Sequence, residues 1–128
     1  MKITVTSVLV DDQDKALQFY TDVLGFVKKH DIPMGKFRWL TVTSPDSPDG
    51  VELILEPDEN PASKAFKQSL FEQGIPLTMF YVDDIDTEHA RLAALGVDFK
   101  MAPTATGNVK LAILNDTCGN WIQIYQMQ

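Results

Sequence analysis

The chain has 128 residues, 45% of them apolar and 23% charged, the size and balance of one globular domain, which excludes a fibrous or disordered chain. A net charge of −7 with scattered Lys and Arg leaves no basic stripe, so nucleic acid is excluded as a partner. No stretch is apolar enough to cross a membrane, and the early apolar run, broken by Thr4, Thr6 and Ser7, is not a signal-peptide pattern. The lone cysteine, Cys118, cannot form an intrachain disulfide, and the expected location is cytoplasmic.

In chain order, residues 2–10 alternate and are rich in β-branched side chains, which predicts a strand. Asp12 can cap the helix that follows. Ala16, Leu17, Tyr20, Val23 and Leu24 recur at helical spacing, and Gly25 stands where a left-handed cap ends a helix. Tyr20, on the apolar stripe, is expected in the core. Residues 26–32, 37–43 and 51–56 predict three strands, separated by the turn-rich segments 33–35 and 44–50. Asn60 and Pro61 open a connecting helix that Gly74 stops. The order then repeats: strand 77–82, helix 84–95, and strands 97–101, 109–114 and 121–126, with the last turn at 116–120.

This is an internal duplication. Val10-Asp11-Asp12 leading to Leu24-Gly25-Phe26 is echoed by Val82-Asp83-Asp84 leading to Leu95-Gly96-Val97. Asp12 and Asp84 are 72 residues apart but Gly25 and Gly96 only 71, a slip of one. The expected architecture is α+β: two tandem βαβββ modules, about 1–57 and 75–128, joined by a helical connector at 58–74 within one domain, 1–128.

Phe19-Tyr20 before Val23-Leu24-Gly25-Phe26, Val51-Glu52-Leu53, Val82-Asp83 and Gly119-Asn120 before the last strand resemble, in order and spacing, the vicinal oxygen chelate superfamily of glyoxalase I, extradiol dioxygenases and bleomycin-resistance proteins. The resemblance covers nearly the whole chain. It implies modules curling around a shared cavity, completed in many members by homodimerisation. It also implies four metal-ligand positions, one on the first and one on the last strand of each module. Carried onto this chain they fall on Val5, Glu52, Leu77 and Gln123. Two aliphatics, one carboxylate and one amide are a poor set for a divalent cation, so no metal cofactor is expected. His30 and His89 lie off those positions; His89, between Ile85 and Leu92, is expected to touch the sheet.

Alternation sends Leu53 and Leu55 toward a helix and leaves Glu52 on the opposite face, where it could accept a ligand hydrogen bond or act as a base. A carboxylate merely satisfied by Gln123 or water is the competing reading. The same parity aims Val5, Ser7, Leu77, Met79, Tyr81, Trp121, Gln123 and Tyr125 inward, with Phe37 and Trp39 joining from the third strand. Apolar and aromatic groups with a few polar ones form the usual lining of a small-molecule pocket. Cys118 beside Asp116 is a poor nucleophile, and no nucleophilic triad or phosphate-binding loop is present. The expected function is metal-free binding of a small organic molecule, a drug or metabolite, by a homodimer. The rivals are a lyase, isomerase or dioxygenase working through Glu52, and an interaction module whose cavity its own side chains fill.

Overall fold

The computed structural model describes residues 1–128. Two compact units divide the chain, residues 1–65 and 66–128, the boundary falling inside the connecting helix.

In the first unit, β1 (Val5–Val10) leads through Asp12 into α1 (Gln13–Gln18), a π-helical turn (Phe19–Val23), then β2 (Val27–Met34), β3 (Phe37–Thr43) and β4 (Glu52–Pro57). The Asp12 carboxylate accepts from the Lys15 N–H at 3.1 Å, the expected cap. The sheet order is β1-β4-β3-β2, with β1 and β4 parallel and the rest antiparallel. One face carries Val8, Val10, Leu40, Val42, Leu53 and Leu55, all buried, as are Ala16 and Tyr20 of the helix. On the other face apolar side chains keep substantial exposure: Val5 38%, Ile32 50% and Met34 59%.

The second unit repeats this plan. After α2 (Pro61–Gln73) come β5 (Thr78–Tyr81), α3 (Ile85–Ala94), β6 (Phe99–Thr106), β7 (Val109–Asn115) and β8 (Trp121–Met127), in the order β5-β8-β7-β6. Ala112, Leu114, Ile122 and Ile124 are buried on one face, together with Ile85 and Leu92 of α3. Both units are therefore βαβββ modules, as the duplication predicts.

The one-residue slip has a structural address. At the end of α3, Gly96 N–H reaches Ala93 and Val97 N–H reaches Leu92, a Schellman closure. In the first unit Leu24 N–H reaches Phe19, five residues back, and Phe26 N–H reaches Tyr20. The wider π turn accommodates one extra residue between Asp12 and Gly25.

β1 starts at Val5 rather than residue 2, β2 runs on to Met34 through residues read as a turn, and both ends of β6 differ from expectation for physical reasons. β6 begins at Phe99 rather than 97, because the Val97 N–H is used in closing the helix, and it continues through Pro103 to Thr106. Proline is tolerated because β6 is an edge strand, as β2 is for Pro33.

Candidate functional site

The cross-strand register maps the open face of the first sheet. His30 pairs with Thr41, Thr41 with Ile54, and Ile54 with Ser7, so these four form one row. Ile32 pairs with Trp39 and Met34 with Phe37 in the rows beside it, while Glu52 pairs with Val5. An open groove of about 370 Å³ lies here, floored by Met34, Phe37, Trp39, Ile54 and Pro57 and rimmed by Arg38, Glu56, Glu59 and Asn60. Phe37 and Trp39 share the groove's face, as parity predicts. Ile54 and Glu56 lie on the face that alternation gives Glu52, and Met34, Pro57, Glu59 and Asn60, which the sequence did not mark as ligand-facing, complete the groove. Gln13 braces the strands beneath it, donating from Nε2 to the Arg38 and Leu55 carbonyls at 2.8 and 2.9 Å. Asp31 and Asp14, the latter on α1, hold the Arg38 guanidinium, the first at 3.0 Å from Nε. The hydrogen bond from Arg38 is the main cause that lowers Asp31 below the usual carboxylate range, and the same two carboxylates raise Arg38.

Glu52 is half-buried next to the groove, and it is hydrogen-bonded within its own sheet, to Thr41 and His30. The Thr41 hydroxyl donates to Glu52 Oε1 at 2.7 Å, and His30 Nδ1 lies 2.6 Å from the same oxygen. Thr41 in turn accepts from the His30 backbone N–H at 3.1 Å. These bonds, Thr41 first and His30 second, hold the Glu52 carboxyl below its ordinary range, the opposite of the raised value a base activated by burial would need.

His30 is the functional candidate that sequence reasoning passed over. Val27 pairs with Thr43 and Lys28 with Val42, but the ladder then resumes with His30 opposite Thr41, leaving Lys29 as a bulge. Unbroken alternation from Val27 would send His30 to the helix side; the bulge brings it to the groove side beside Glu52. No local sequence signal marks that bulge, and His30 matches no ligand position of the resembled family.

In the second unit the remaining candidates share one face of the sheet. Gln123 pairs with Met79 and Ile113, and Tyr125 with Tyr81 and Leu111. Tyr81 and Tyr125 meet edge to face with centroids 5.7 Å apart, and a hydrogen bond to Asp83 is the main cause that raises the Tyr81 phenol. Trp121 is committed to structure: its ring stacks on Phe71 at 4.8 Å, and its Nε1 donates to the Phe71 carbonyl at 3.1 Å near the end of α2. Leu77 precedes β5 and donates its N–H to the Trp121 carbonyl. Gln123 thus stands opposite Met79, not Leu77, one same-face step further along the strand.

The four family positions do not fit a metal. Val5 and Leu77 have no donor atom, and no three His, Cys, Asp or Glu side chains in the chain come together. Two expected structural roles are met: Tyr20 is fully buried and His89 packs edge-on against Phe99 at 4.5 Å; Cys118 is buried in the 116–120 turn.

The family model of the Glyoxalase/Bleomycin resistance protein/Dioxygenase superfamily matches residues 2–124. A protein of Bacillus subtilis (strain 168), "Uncharacterized protein YurT", is 57% identical over 126 residues, covering 98% of this chain and 99% of its own length. Among solved structures, UcmS2 superposes with a TM-score of 0.83 at 29% identity, covering 98% of this chain and 97% of its own. TnmS3, an antibiotic binding protein from Streptomyces sp. CB03234, superposes with a TM-score of 0.75 at 26% identity, covering 100% and 97% respectively.

Proposed function

The chain belongs to the Glyoxalase/Bleomycin resistance protein/Dioxygenase superfamily, and from that premise we propose that it is a metal-free protein that binds, and so sequesters, a small, partly aromatic drug or metabolite. The observation that carries this reading is the groove: Phe37, Trp39, Met34 and Ile54 form an apolar floor with a few convergent polar groups, the makeup of small-molecule sites. The donor-poor set Val5, Glu52, Leu77 and Gln123 supports a function that needs no metal. The likeness to an antibiotic binding protein supports the ligand class.

The test is a thermal-shift screen of aromatic antibiotics and metabolites, followed by titration of Trp fluorescence. A ligand present at 100 times its Kd should stabilise the protein by about 2.7 kcal/mol and raise Tm by about 10 °C. Trp39→Ala should abolish the shift while the variant still unfolds cooperatively. A hit whose affinity is unchanged in Trp39→Ala would place its site elsewhere and sink the groove as the binding surface.

The His30–Glu52 contact favours a second reading, an enzyme of the superfamily's lyase, isomerase or dioxygenase kinds working through Glu52. Turnover of a screened ligand that disappears in Glu52→Gln without loss of binding would replace sequestration by catalysis.

A further inference from the structure

We infer that His30 is the polar recognition point of the groove, presenting Nε2 as the acceptor for a hydroxyl donor, a phenol or an enol, carried by the aromatic ligand. This rests on the groove being the binding surface and names the ligand chemistry that the surface selects.

The tautomer follows from the neighbours. Glu52 Oε1 lies 2.6 Å from Nδ1 and already accepts from Thr41. An ionised carboxylate has no proton to give, so Nδ1 carries the hydrogen in that contact, and the lone pair of the neutral ring sits on Nε2. That nitrogen makes no hydrogen bond within the protein. The imidazole is also the more open partner, with 42% side-chain exposure against 20% for Glu52. The carboxylate therefore fixes the ring from the sheaf of strands while the free nitrogen is left for a ligand.

Position links the imidazole to the aromatic floor. His30 shares its row with Ile54, which lines the groove, and stands one same-face step from Ile32, the partner of Trp39. Such a step is about 7 Å along a strand, a span that a fused two-ring molecule covers. A ring stacked near Trp39 can then bring a substituent to His30. Charge selects among substituents: Glu52 beside the ring and Glu56 at the rim disfavour a carboxylate or phosphate, whereas a neutral hydroxyl meets the imidazole lone pair without repulsion.

Matched probes test this: 2-naphthol, its methyl ether and 2-naphthoate, titrated by NMR against wild type, His30→Phe, His30→Gln, Glu52→Gln and Trp39→Ala, each first shown to be folded. Nitrogen-15 spectra of the histidine side chains read the tautomer. The expected result is a His30 ring protonated at Nδ1 and 2-naphthol bound about tenfold more tightly than the ether or the naphthoate. The preference for the hydroxyl should vanish in His30→Phe, persist in part in His30→Gln, and weaken in Glu52→Gln as the tautomer relaxes. Trp39→Ala should weaken all three probes alike. Equal binding of naphthol and ether that still depends on Trp39 would overturn the role of His30 and leave the groove standing. Absence of any probe-induced shift up to the solubility limit would remove the groove and this inference together. A wild-type ring protonated at Nε2 refutes the assignment with no ligand needed.

Discussion

Thr41 holds the polar cluster together. It is fully buried, its hydroxyl both accepting from the His30 N–H and donating to Glu52. Thr41→Val keeps the shape but removes both bonds, and should cost about 1–3 kcal/mol in denaturant unfolding, with Thr41→Ser recovering most of it. It should also let the Glu52 carboxyl rise toward its ordinary value, since Thr41 is the largest influence lowering it. Carbon-13 titration of the Glu52 carboxyl would read that change. At this scale the sequence was legible where strands are regular. Glu52 and Trp39 lie on the face that simple alternation assigns them. His30 was illegible because a bulge reverses alternation, and a bulge is settled by the partner strand rather than by the residues that form it. Trp121 was assigned to the right face, but its indole is spent on the end of α2, a contact no alternation pattern foretells.

The elements themselves were largely legible, because their ends are chemically marked. Asp12 and Asp84 both cap, and Gly25 and Gly96 both adopt positive φ, at 90° and 86°. Asp84 accepts from the Thr87 N–H at 3.1 Å and the Thr87 hydroxyl at 2.9 Å, and those bonds lower its carboxyl below the ordinary value. A carboxyl lowered by folding stabilises the native state above its unfolded pKa, and the contribution fades as pH falls through the folded value. Asp84→Asn keeps a competent cap but cannot titrate, so its thermal unfolding should lose part of its pH dependence below about pH 4 and change little at neutral pH. An acid limb identical to wild type would show that the cap charge is irrelevant. The 116–120 turn gives a second expectation. Lys67 Nζ donates to the Cys118 carbonyl at 2.6 Å, and a Cβ on Gly119, whose φ is +88°, would stand 2.7 Å from that nitrogen. Gly119→Ala should therefore destabilise by more than about 1 kcal/mol, and Lys67→Met should relieve part of the clash in the double variant.

At the scale of the molecule the duplication was the most legible feature, down to its slip of one residue, which is the π turn of the first unit. What it could not convey is which family chemistry survives in each copy. Val5 and Leu77 leave the family's metal positions without imidazoles, so protein purified without chelators should contain far less than one divalent metal per chain by elemental analysis. A stoichiometric metal retained on dialysis and lost in Glu52→Ala would reverse this. The exposed Val5, Ile32 and Met34 on an otherwise ordered sheet face are expected to find cover in a homodimer. Light scattering at tens of micromolar should give twice the 14.3 kDa chain mass. Ile32→Lys with Met34→Lys should shift the mass toward one chain if this face is the contact.

The bulge in β2 also sets how ligand choice can change over time. Lys29 has no partner in the ladder, so deleting it should leave Lys28 opposite Val42 and His30 opposite Thr41, with the imidazole still toward the groove. The same loss taken two residues later, at Asp31, would turn Ile32 and Met34 to the helix side and set Pro33 opposite Trp39. On this edge strand the length of the segment, rather than its composition, decides which side chains a ligand meets, so one inserted or deleted codon can exchange the groove's chemistry while the residues packed under the sheet keep their places.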